Sequence, residues 1–212
     1  MDGGRCFIVG AGEYSGSEMP VKGDYVIAAD GGYAELVSRG IVPDMVIGDF
    51  DSLGGTPAHN NVIVSPAEKD DTDMMLAVRE GLVRGNNIFV IDGGLGGRLD
   101  HTLANIQILA YIAQNGARGY LLGNGICVTA VTNGTVGFKS GLSGGISIFC
   151  MDGRAAGVTI SGLKYAIDNA ELSNAYPIGV SNEFSGTPAS VTVRAGTLVI
   201  IWTGGLWGVE GT

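Results

Sequence analysis

The sequence is short of the residues on which several protein classes depend. Its three cysteines, Cys6, Cys127 and Cys150, show no CxxC spacing, and with only two histidines they indicate neither a disulfide framework nor a zinc site. We expect buried free thiols. Basic residues are also scarce, because 12 Lys and Arg against 21 Asp and Glu leave a net charge of −9, which argues against nucleic-acid binding.

Long apolar runs are absent as well. No stretch approaches the roughly 18 residues of a transmembrane helix, so no membrane association is expected. The first residues lack the long apolar region of a secretory signal, and we therefore expect a cytoplasmic protein. What the chain has in abundance is glycine, with 37 residues in 212, together with 45% hydrophobic residues. This composition indicates a globular protein with many tight turns and argues against a helical bundle.

The first half of the chain alternates short apolar runs with helical patterns. This βα alternation predicts a doubly wound, mostly parallel sheet with helices on both faces, forming an α/β domain over residues 1–124. The predicted strands are residues 6–9, 25–29, 45–47, 61–64, 88–91 and 120–122, and the predicted helices are residues 33–39, 73–84 and 100–114.

The second half has a different pattern, with no segment of convincing helical period. Short runs rich in Val, Ile, Thr and Phe are separated by Gly, Asn and Ser, which predicts an all-β sandwich domain over residues 125–212. The predicted strands are residues 127–132, 136–138, 146–151, 157–160, 191–193 and 198–202.

Acidic residues follow the predicted strands of the first half. Asp30, and Asp49 with Asp51, come directly after apolar runs, and the cluster 70–73 (Asp-Asp-Thr-Asp) lies in the loop that follows the fourth predicted strand. In an open parallel sheet, ligands bind outside the carboxyl ends of the strands, where these side chains would gather. Carboxylates so placed suit Mg2+ carrying a nucleotide phosphate. Each has a structural alternative: Asp is common in turns, and the acids of 70–73 are favoured at a helix start in any case.

A fourth loop of this kind, residues 96–101, has the sequence Gly-Gly-Arg-Leu-Asp-His. Arg98 can bind phosphate oxygens with a bidentate fork, and a helix beginning at Asp100 would add free N–H groups. Asp100 can equally be a plain N-cap, and His101 at a helix start is more often a surface residue. The segment 10–12 (Gly-Ala-Gly) lacks the Lys-Ser/Thr of a P-loop and indicates only a turn.

Taken in order, these segments resemble the thiamine pyrophosphokinase family. The resemblance rests on five segments of the first half and two of the second: residues 29–32 (ADGG), 40–44 (GIVPD), 48–52 (GDFDS), 69–73 (KDDTD), 96–101 (GGRLDH) with Asn105, then 162–165 (GLKY) and 180–183 (VSNE). It covers nearly the whole chain. Each motif is weak alone, but their order and spacing are specific.

The resemblance implies an enzyme that uses Mg2+ and converts ATP and thiamine into AMP and thiamine diphosphate, working as a homodimer with active sites between subunits. By motif, Asp49, Asp51 and Asp73 would hold Mg2+, and Arg98 and Asp100 would contact the triphosphate or its metal. The proton acceptor stays open between Asp71 and Asp100. The implied ATP site comprises Asp30, Gly31, Lys69, Asp70, Thr72, Arg98 and His101, and the implied thiamine site comprises Tyr165, Ser181 and Asn182.

Two features depart from the family pattern. Tyr165 stands where some members carry Trp, and residues 123–126 lack an expected acidic residue, which leaves adenine and ribose recognition unassigned. Two other functions compete with this interpretation: a Mg-dependent pterin diphosphokinase and a non-catalytic nucleotide or thiamine sensor. The segments 162–165 and 180–183 weigh against the former, and retention of the acids and Arg98 weighs against the latter.

Overall fold

The structure, a computed structural model, describes residues 4–16, 18–50, 55–65 and 70–210. The chain divides into two compact units. The first unit consists of Met1–Ile108 with Leu121–Asn124, and the second consists of Leu109–Tyr120 with Gly125–Thr212. The domain division that the sequence predicts, at residues 124 and 125, stays a prediction.

The first unit is built on parallel strands in the order β5-β1-β2-β3-β4. Ile8, Ile27 and Ile47, on its three inner strands, are fully buried. The near-continuous apolar runs are typical of parallel strands, which are covered on both faces. The strands are β1 (Arg5–Val9), β2 (Tyr25–Ala29), β3 (Met45–Gly48), β4 (Val62–Val64) and β5 (Ile88–Asp92), and β6 (Arg118–Gly123) lies next to β5.

Three helices follow these strands: α1 (Gly32–Ser38), α2 (Asp73–Val83) and α3 (Leu99–Gln114). Helix α2 begins after Thr72, whose side chain accepts a hydrogen bond from the amide of Met75, the usual N-cap arrangement. Helix α3 begins at Leu99, so the prediction that it starts at Asp100 is wrong by one residue. Asp100 therefore lies in the first turn and is not the N-cap.

The second unit contains antiparallel strands in two sets, with orders β12-β9-β14-β7 and β11-β10-β13-β8. Its core includes Phe138, Phe184 and Trp202, whose rings meet edge to face with centroids 5.2 and 5.5 Å apart. The strands are β7 (Ile126–Thr132), β8 (Thr135–Phe138), β9 (Gly145–Cys150), β10 (Ala155–Ser161), β11 (Ile167–Leu172), β12 (Asn182–Glu183), β13 (Ala189–Thr192) and β14 (Thr197–Thr203).

The mixed α/β class expected from the sequence is confirmed, with parallel strands and helices first and antiparallel strands afterwards. Helices on both sheet faces and a packed sandwich stay predictions. The three cysteines are free and buried, as predicted. Within the described segments, no helix has the length and apolar character needed to cross a membrane.

Candidate functional site

A cavity of about 590 Å3 opens in the first unit, and we call it the first-unit cavity. Its walls come from the ends of β1, β2 and β5 and from the starts of α2 and α3. This location is the edge of a parallel sheet where ligands bind, and the size is in the range of small-molecule sites. The predicted site residues in its lining are Asp30, Asp70, Asp71, Thr72, Asp73, Arg98 and His101.

Five further residues are predicted for the metal, ATP or catalysis. Gly31, Asp49 and Asp100 are described but do not belong to the lining. Asp100 is nevertheless joined to the lining through its ion pair with Arg98. Asp51 and Lys69 lie outside the described residues.

The segment Gly10–Gly12, to which the sequence assigned only a turn, lines the cavity together with the loop that follows β5. The Gly12 amide donates to the carbonyl oxygen of Gly93 over 2.6 Å, and the Gly10 amide donates to that of Asp92 over 2.8 Å. A Cβ on Gly12 would lie 2.7 Å from the Gly93 carbonyl oxygen, so no larger residue fits without a shift of backbone. Two backbone segments thus form one wall, and only glycine permits their approach.

Close approach of backbone also explains a glycine in the Asp30-Gly31-Gly32 segment. A Cβ built on Gly32 would overlap the carbonyl oxygen of Val9, because α1 starts directly against the end of β1. Asp30 adopts a φ of 49°, and its amide donates to the carbonyl oxygen of Ile47 over 2.7 Å. Asp30 is therefore held in a conformation that is uncommon for residues other than glycine, at the cavity wall.

Phe50 fixes the loop after β3. Its side chain is 1% exposed while its backbone has a φ of 59°, a conformation that bulky residues rarely adopt. A Cβ on Gly48 would lie 3.0 Å from the Phe50 ring and 3.1 Å from the Cα of Asp30. The loops after β2 and β3 therefore pack directly against each other. The alternation Asp49-Phe50-Asp51 has a structural reason, because the ring between the acids belongs to the core.

At the start of α2, the acids have defined partners. The Asp73 carboxylate accepts a hydrogen bond of 2.7 Å from the hydroxyl of Ser65, which follows β4. The Asp71 carboxylate pairs with the guanidinium of Arg79 at 2.7 Å on the exposed side of the helix. The N-cap of α2 is Thr72 and not one of these acids.

Arg98 and Asp100 form a bidentate ion pair at the start of α3, with N–O distances of 2.6 and 3.2 Å. Both side chains are exposed, so the pair is worth little to stability. The hydrogen bond from Arg98 lowers the pKa of Asp100, and the same bond raises the pKa of Arg98. The guanidinium is thus held at the cavity in a charged form that can bind phosphate oxygens.

Two buried polar residues to which the sequence assigned no role support the cavity wall: Asn105, which lines the cavity, and Asp92. Asn105, 7% exposed, donates from its side chain to the Gly94 carbonyl oxygen over 2.7 Å. Asp92, 1% exposed, accepts from the amides of Ser15 at 2.7 Å and Gly93 at 3.1 Å. These three bonds fix backbone at the cavity wall. The sequence does carry a signal for each residue: Asp92 is an acid at the end of an apolar strand, and Asn105 is an amide within an apolar helix.

The predicted thiamine residues lie together in the second unit. Tyr165 is 58% exposed, with the Lys164 ammonium 5.4 Å from its ring centroid. Ser181 is exposed, has a φ of 62°, and its amide donates to the Ser147 hydroxyl over 3.2 Å. Asn182 is buried, and its side chain bonds to the backbone of Tyr165. The structure therefore brings these three residues to one place.

The chemistry of the acidic lining suits a hard cation. Asp30, Asp70, Asp71 and Asp73 offer only oxygen donors, which Mg2+ prefers. Over residues 4–16, 18–50, 55–65 and 70–210, no group of three or more His, Cys, Asp or Glu side chains is gathered closely enough to hold a metal ion. Of the predicted set Asp49, Asp51 and Asp73, Asp51 lies outside those ranges.

Most of the chain is similar to proteins of one known family. The model of the thiamin pyrophosphokinase catalytic domain matches residues 18–121, and that of the thiamin pyrophosphokinase vitamin B1 binding domain matches residues 135–198. The chain is 28% identical over 182 residues to the thiamine pyrophosphokinase of Bacillus subtilis, covering 82% of the chain and 85% of the relative.

The chain is also similar to a second relative. Thiamin pyrophosphokinase 1 of Caenorhabditis elegans is 28% identical over 193 residues, covering 84% of the chain and 78% of the relative. The crystal structure of the Bacillus subtilis thiamine pyrophosphokinase superimposes with a TM-score of 0.81 at 26% identity, covering 94% of this chain and 99% of that one.

Proposed function

Because the chain belongs to the thiamine pyrophosphokinase family, we propose that it transfers the diphosphoryl group of ATP to the hydroxyl group of thiamine, giving thiamine diphosphate and AMP. The observation that carries this function is the convergence of separate sequence motifs on one cavity. Asp30, the cluster Asp70–Asp73, and Arg98 with His101 come from three βα connections, and all of them line the same 590 Å3 space.

ATP is the co-substrate, and its triphosphate fits the polar wall of the first-unit cavity. Arg98 supplies the bidentate fork for phosphate oxygens, and the glycine loops bring backbone close to the ligand. The first turn of α3, which brings His101 to the cavity lining, adds N–H groups and a partial positive charge. Asp100 pairs with the Arg98 guanidinium, so phosphate binding exchanges one anionic partner for another or extends the pair.

Asp49, Asp51 and Asp73 are the residues we propose for Mg2+, which would neutralise charge on the phosphate oxygens. The hydrogen bond from the Ser65 hydroxyl orients the Asp73 carboxylate. Gly31, Asp70 and Thr72 complete the proposed ATP site, Gly31 by close packing and Thr72 by starting α2.

In the reaction, the thiamine hydroxyl oxygen bonds to the β-phosphorus, and the bond from that phosphorus to the oxygen bridging to the α-phosphorus breaks. The bridging oxygen leaves with AMP. The hydroxyl proton passes to a carboxylate, for which Asp71 and Asp100 remain the two candidates. Each is already paired with an arginine, Asp71 with Arg79 and Asp100 with Arg98. Positioning and charge neutralisation carry most of the catalysis in such transfers.

Thiamine is cationic and partly aromatic, and the hairpin around Tyr165 suits it. The exposed Tyr165 ring offers a face for stacking and for cation–π contact. The Ser181 hydroxyl is presented by a left-handed backbone at an exposed position. Asn182 belongs to the same site through its bonds to Tyr165.

The family assignment also supports a homodimer with active sites at the subunit interface and a cytoplasmic location. The second unit has an exposed apolar run, with Tyr176 70%, Ile178 65% and Val180 45% exposed, of the kind that marks protein interfaces. Light scattering would measure the mass of the protein in solution, and a homodimer should have twice the 21.7 kDa of one chain. If the partner completes the site, activity per chain falls on dilution below the dimer dissociation constant. The doubly wound and sandwich architecture, divided at residue 124, belongs to the same proposal.

Phosphorus NMR with Mg-ATP and thiamine tests the reaction directly. We expect AMP and thiamine diphosphate. Arg98→Lys should raise the KM for ATP and lower turnover by about tenfold or more, since an ammonium cannot reproduce the bidentate fork. The matched control is Arg154→Lys, because Arg154 forms a similarly exposed pair with Glu171 in the second unit. It should keep activity within about twofold, as expected for a surface pair.

Each other outcome identifies a different function. ADP in place of AMP would indicate an ordinary kinase, and transfer to hydroxymethylpterin but not thiamine would indicate a pterin diphosphokinase. Binding of both substrates without turnover would indicate a sensor. Equal activity of the Arg98 and Arg154 variants would remove Arg98 from the phosphate site.

A further inference from the structure

Asn182 is the one predicted thiamine residue whose side chain is buried, at 6% exposure. Its amide makes three bonds to backbone groups. The nitrogen donates to the carbonyl oxygen of Tyr165 over 2.7 Å. The oxygen accepts from the amide of Tyr165 at 3.0 Å and from the amide of Glu183 at 2.9 Å. The side chain is thus engaged on both sides by the residue that carries the exposed ring.

These bonds continue a ladder that the backbone cannot complete. Leu163 pairs with Phe184 as an antiparallel bridge, and the Lys164 amide donates to the carbonyl oxygen of Glu183. The same register brings Tyr165 opposite Asn182. The backbone of Asn182 is already paired with Ile146 of β9, and Ser181 leaves the extended path with a φ of 62°. The Asn182 side chain therefore supplies the donor and acceptor that a backbone partner would supply.

We propose that Asn182 is a positioning residue for the thiamine site: it fixes the backbone of Tyr165, and hence the place of the Tyr165 ring, without itself contacting thiamine. This inference rests on the proposed function. Turning the amide toward the substrate would break three part-buried bonds and leave the Tyr165 and Glu183 backbone groups without these partners, at a cost in free energy. A carboxamide is the side chain that both donates and accepts here, which accounts for asparagine at this position.

Two substitutions separate the parts of the role. Asn182→Ala removes all three bonds. Asn182→Asp keeps the acceptor for the two amides but sets an oxygen against the Tyr165 carbonyl oxygen, where the nitrogen now donates over 2.7 Å. The introduced carboxyl can donate only when protonated. The thiamine KM of Asn182→Asp should therefore recover toward wild type as the pH is lowered, whereas that of Asn182→Ala should not.

Steady-state kinetics give the first readout. Both variants should raise the KM for thiamine on the order of tenfold at pH 8, corresponding to about 1.4 kcal/mol, and leave the KM for ATP within about twofold. The matched control is Thr129→Val, which removes a buried hydroxyl bond to the Gly119 carbonyl oxygen in the same unit. It should lower stability without changing the KM for thiamine.

Amide hydrogen exchange in the substrate-free protein gives the second readout. Positioning requires that the Tyr165 and Glu183 amides exchange faster in Asn182→Ala than in wild type, before any thiamine is added. A thiamine analogue with a carbonyl in place of the 4′-amino group gives the third. If Asn182 does not contact that group, the effects of analogue and substitution multiply independently.

An unchanged thiamine KM in Asn182→Ala would overturn the proposal. So would unchanged Tyr165 exchange combined with an analogue effect that disappears in the variant, because this pattern identifies a direct contact. If the wild-type protein itself fails to convert thiamine, the proposed function falls and the inference falls with it. That result is distinguishable, since failure of the inference alone leaves the wild type active.

Discussion

Asp92 offers the sharpest test of how the wall of the first-unit cavity is held. Its carboxylate is 1% exposed, and one oxygen accepts from the backbone amides of Ser15 and Gly93. These amides belong to two different loops, one following β1 and one following β5. The perturbation is Asp92→Ala, which removes the shared acceptor and leaves the two amides without this bond.

The magnitude follows from the two bonds. A buried donor that loses its acceptor costs about 1–3 kcal/mol, so Asp92→Ala should lower the free energy of unfolding by about 2–5 kcal/mol. A typical domain has only about 5–15 kcal/mol in total, so this loss is large. Asp92→Asn keeps an acceptor oxygen and should cost about 1 kcal/mol. Because both loops line the cavity, the KM for ATP should rise in the same order, alanine above asparagine.

Urea unfolding followed by far-ultraviolet circular dichroism measures the first effect, and steady-state kinetics measure the second. Asp152→Ala is the matched control. The Asp152 carboxylate also accepts a backbone bond, from the Thr197 amide at 2.6 Å, but it lies in the second unit. It should lower stability and leave the KM for ATP unchanged. If Asp92→Ala unfolds within about 0.5 kcal/mol of wild type, the assignment of these bonds as structural supports is wrong.

Two further predictions concern stability. Burial raises the pKa of the Cys6 thiol to about 12, so its contribution to stability is full below the unfolded pKa of about 8.5 and is lost as pH rises toward 12. Between pH 8 and 10, the free energy of unfolding, measured with urea, should fall by about 1–2 kcal/mol less in Cys6→Ala than in wild type. The same fall in both proteins would contradict this prediction. Phe50 has a φ of 59°, which glycine adopts without the steric cost that alanine has. The free energy of unfolding of Phe50→Gly, measured with urea, should therefore exceed that of Phe50→Ala by about 1 kcal/mol. The reverse order would show that the backbone at residue 50 is not strained.

Much of the first unit was predictable because its signals are local. Parallel strands are apolar almost throughout, and β1, β2, β3 and β5 end at or directly before a glycine or an acid, so these carboxyl ends could be located in advance. Gly40, which ends the first helical pattern in the sequence, has a φ of 72°, and the Ile41 amide donates to the Leu36 carbonyl oxygen, as is usual at a helix C-terminus. Topology then brought the acids of separate loops to one cavity.

The errors arose where burial depends on tertiary contacts. Helical periodicity alone would put Leu103 on the buried stripe of α3, but Leu103 is 56% exposed, whereas Leu109 and Ile112 are fully buried. Strand β11 was missed because its sequence, Ile-Asp-Asn-Ala-Glu-Leu, is mostly polar. It pairs only with β10, as an edge strand, so its polar side chains meet solvent and need no apolar alternation.

The conformation of the site itself could not be derived from local preferences, because it violates them. Asp30 and Phe50 follow neighbouring strands and both adopt left-handed backbone. A bulky residue with positive φ persists only where surrounding structure over-determines it. Here the buried ring of Phe50 lies against Gly48, and Gly48 in turn lies against Asp30. The strain of both residues is therefore held by packing between two loops that carry acids. A site built in this way depends on the assembled sheet, which explains why motif and spacing reveal its members while only the fold reveals how they are held.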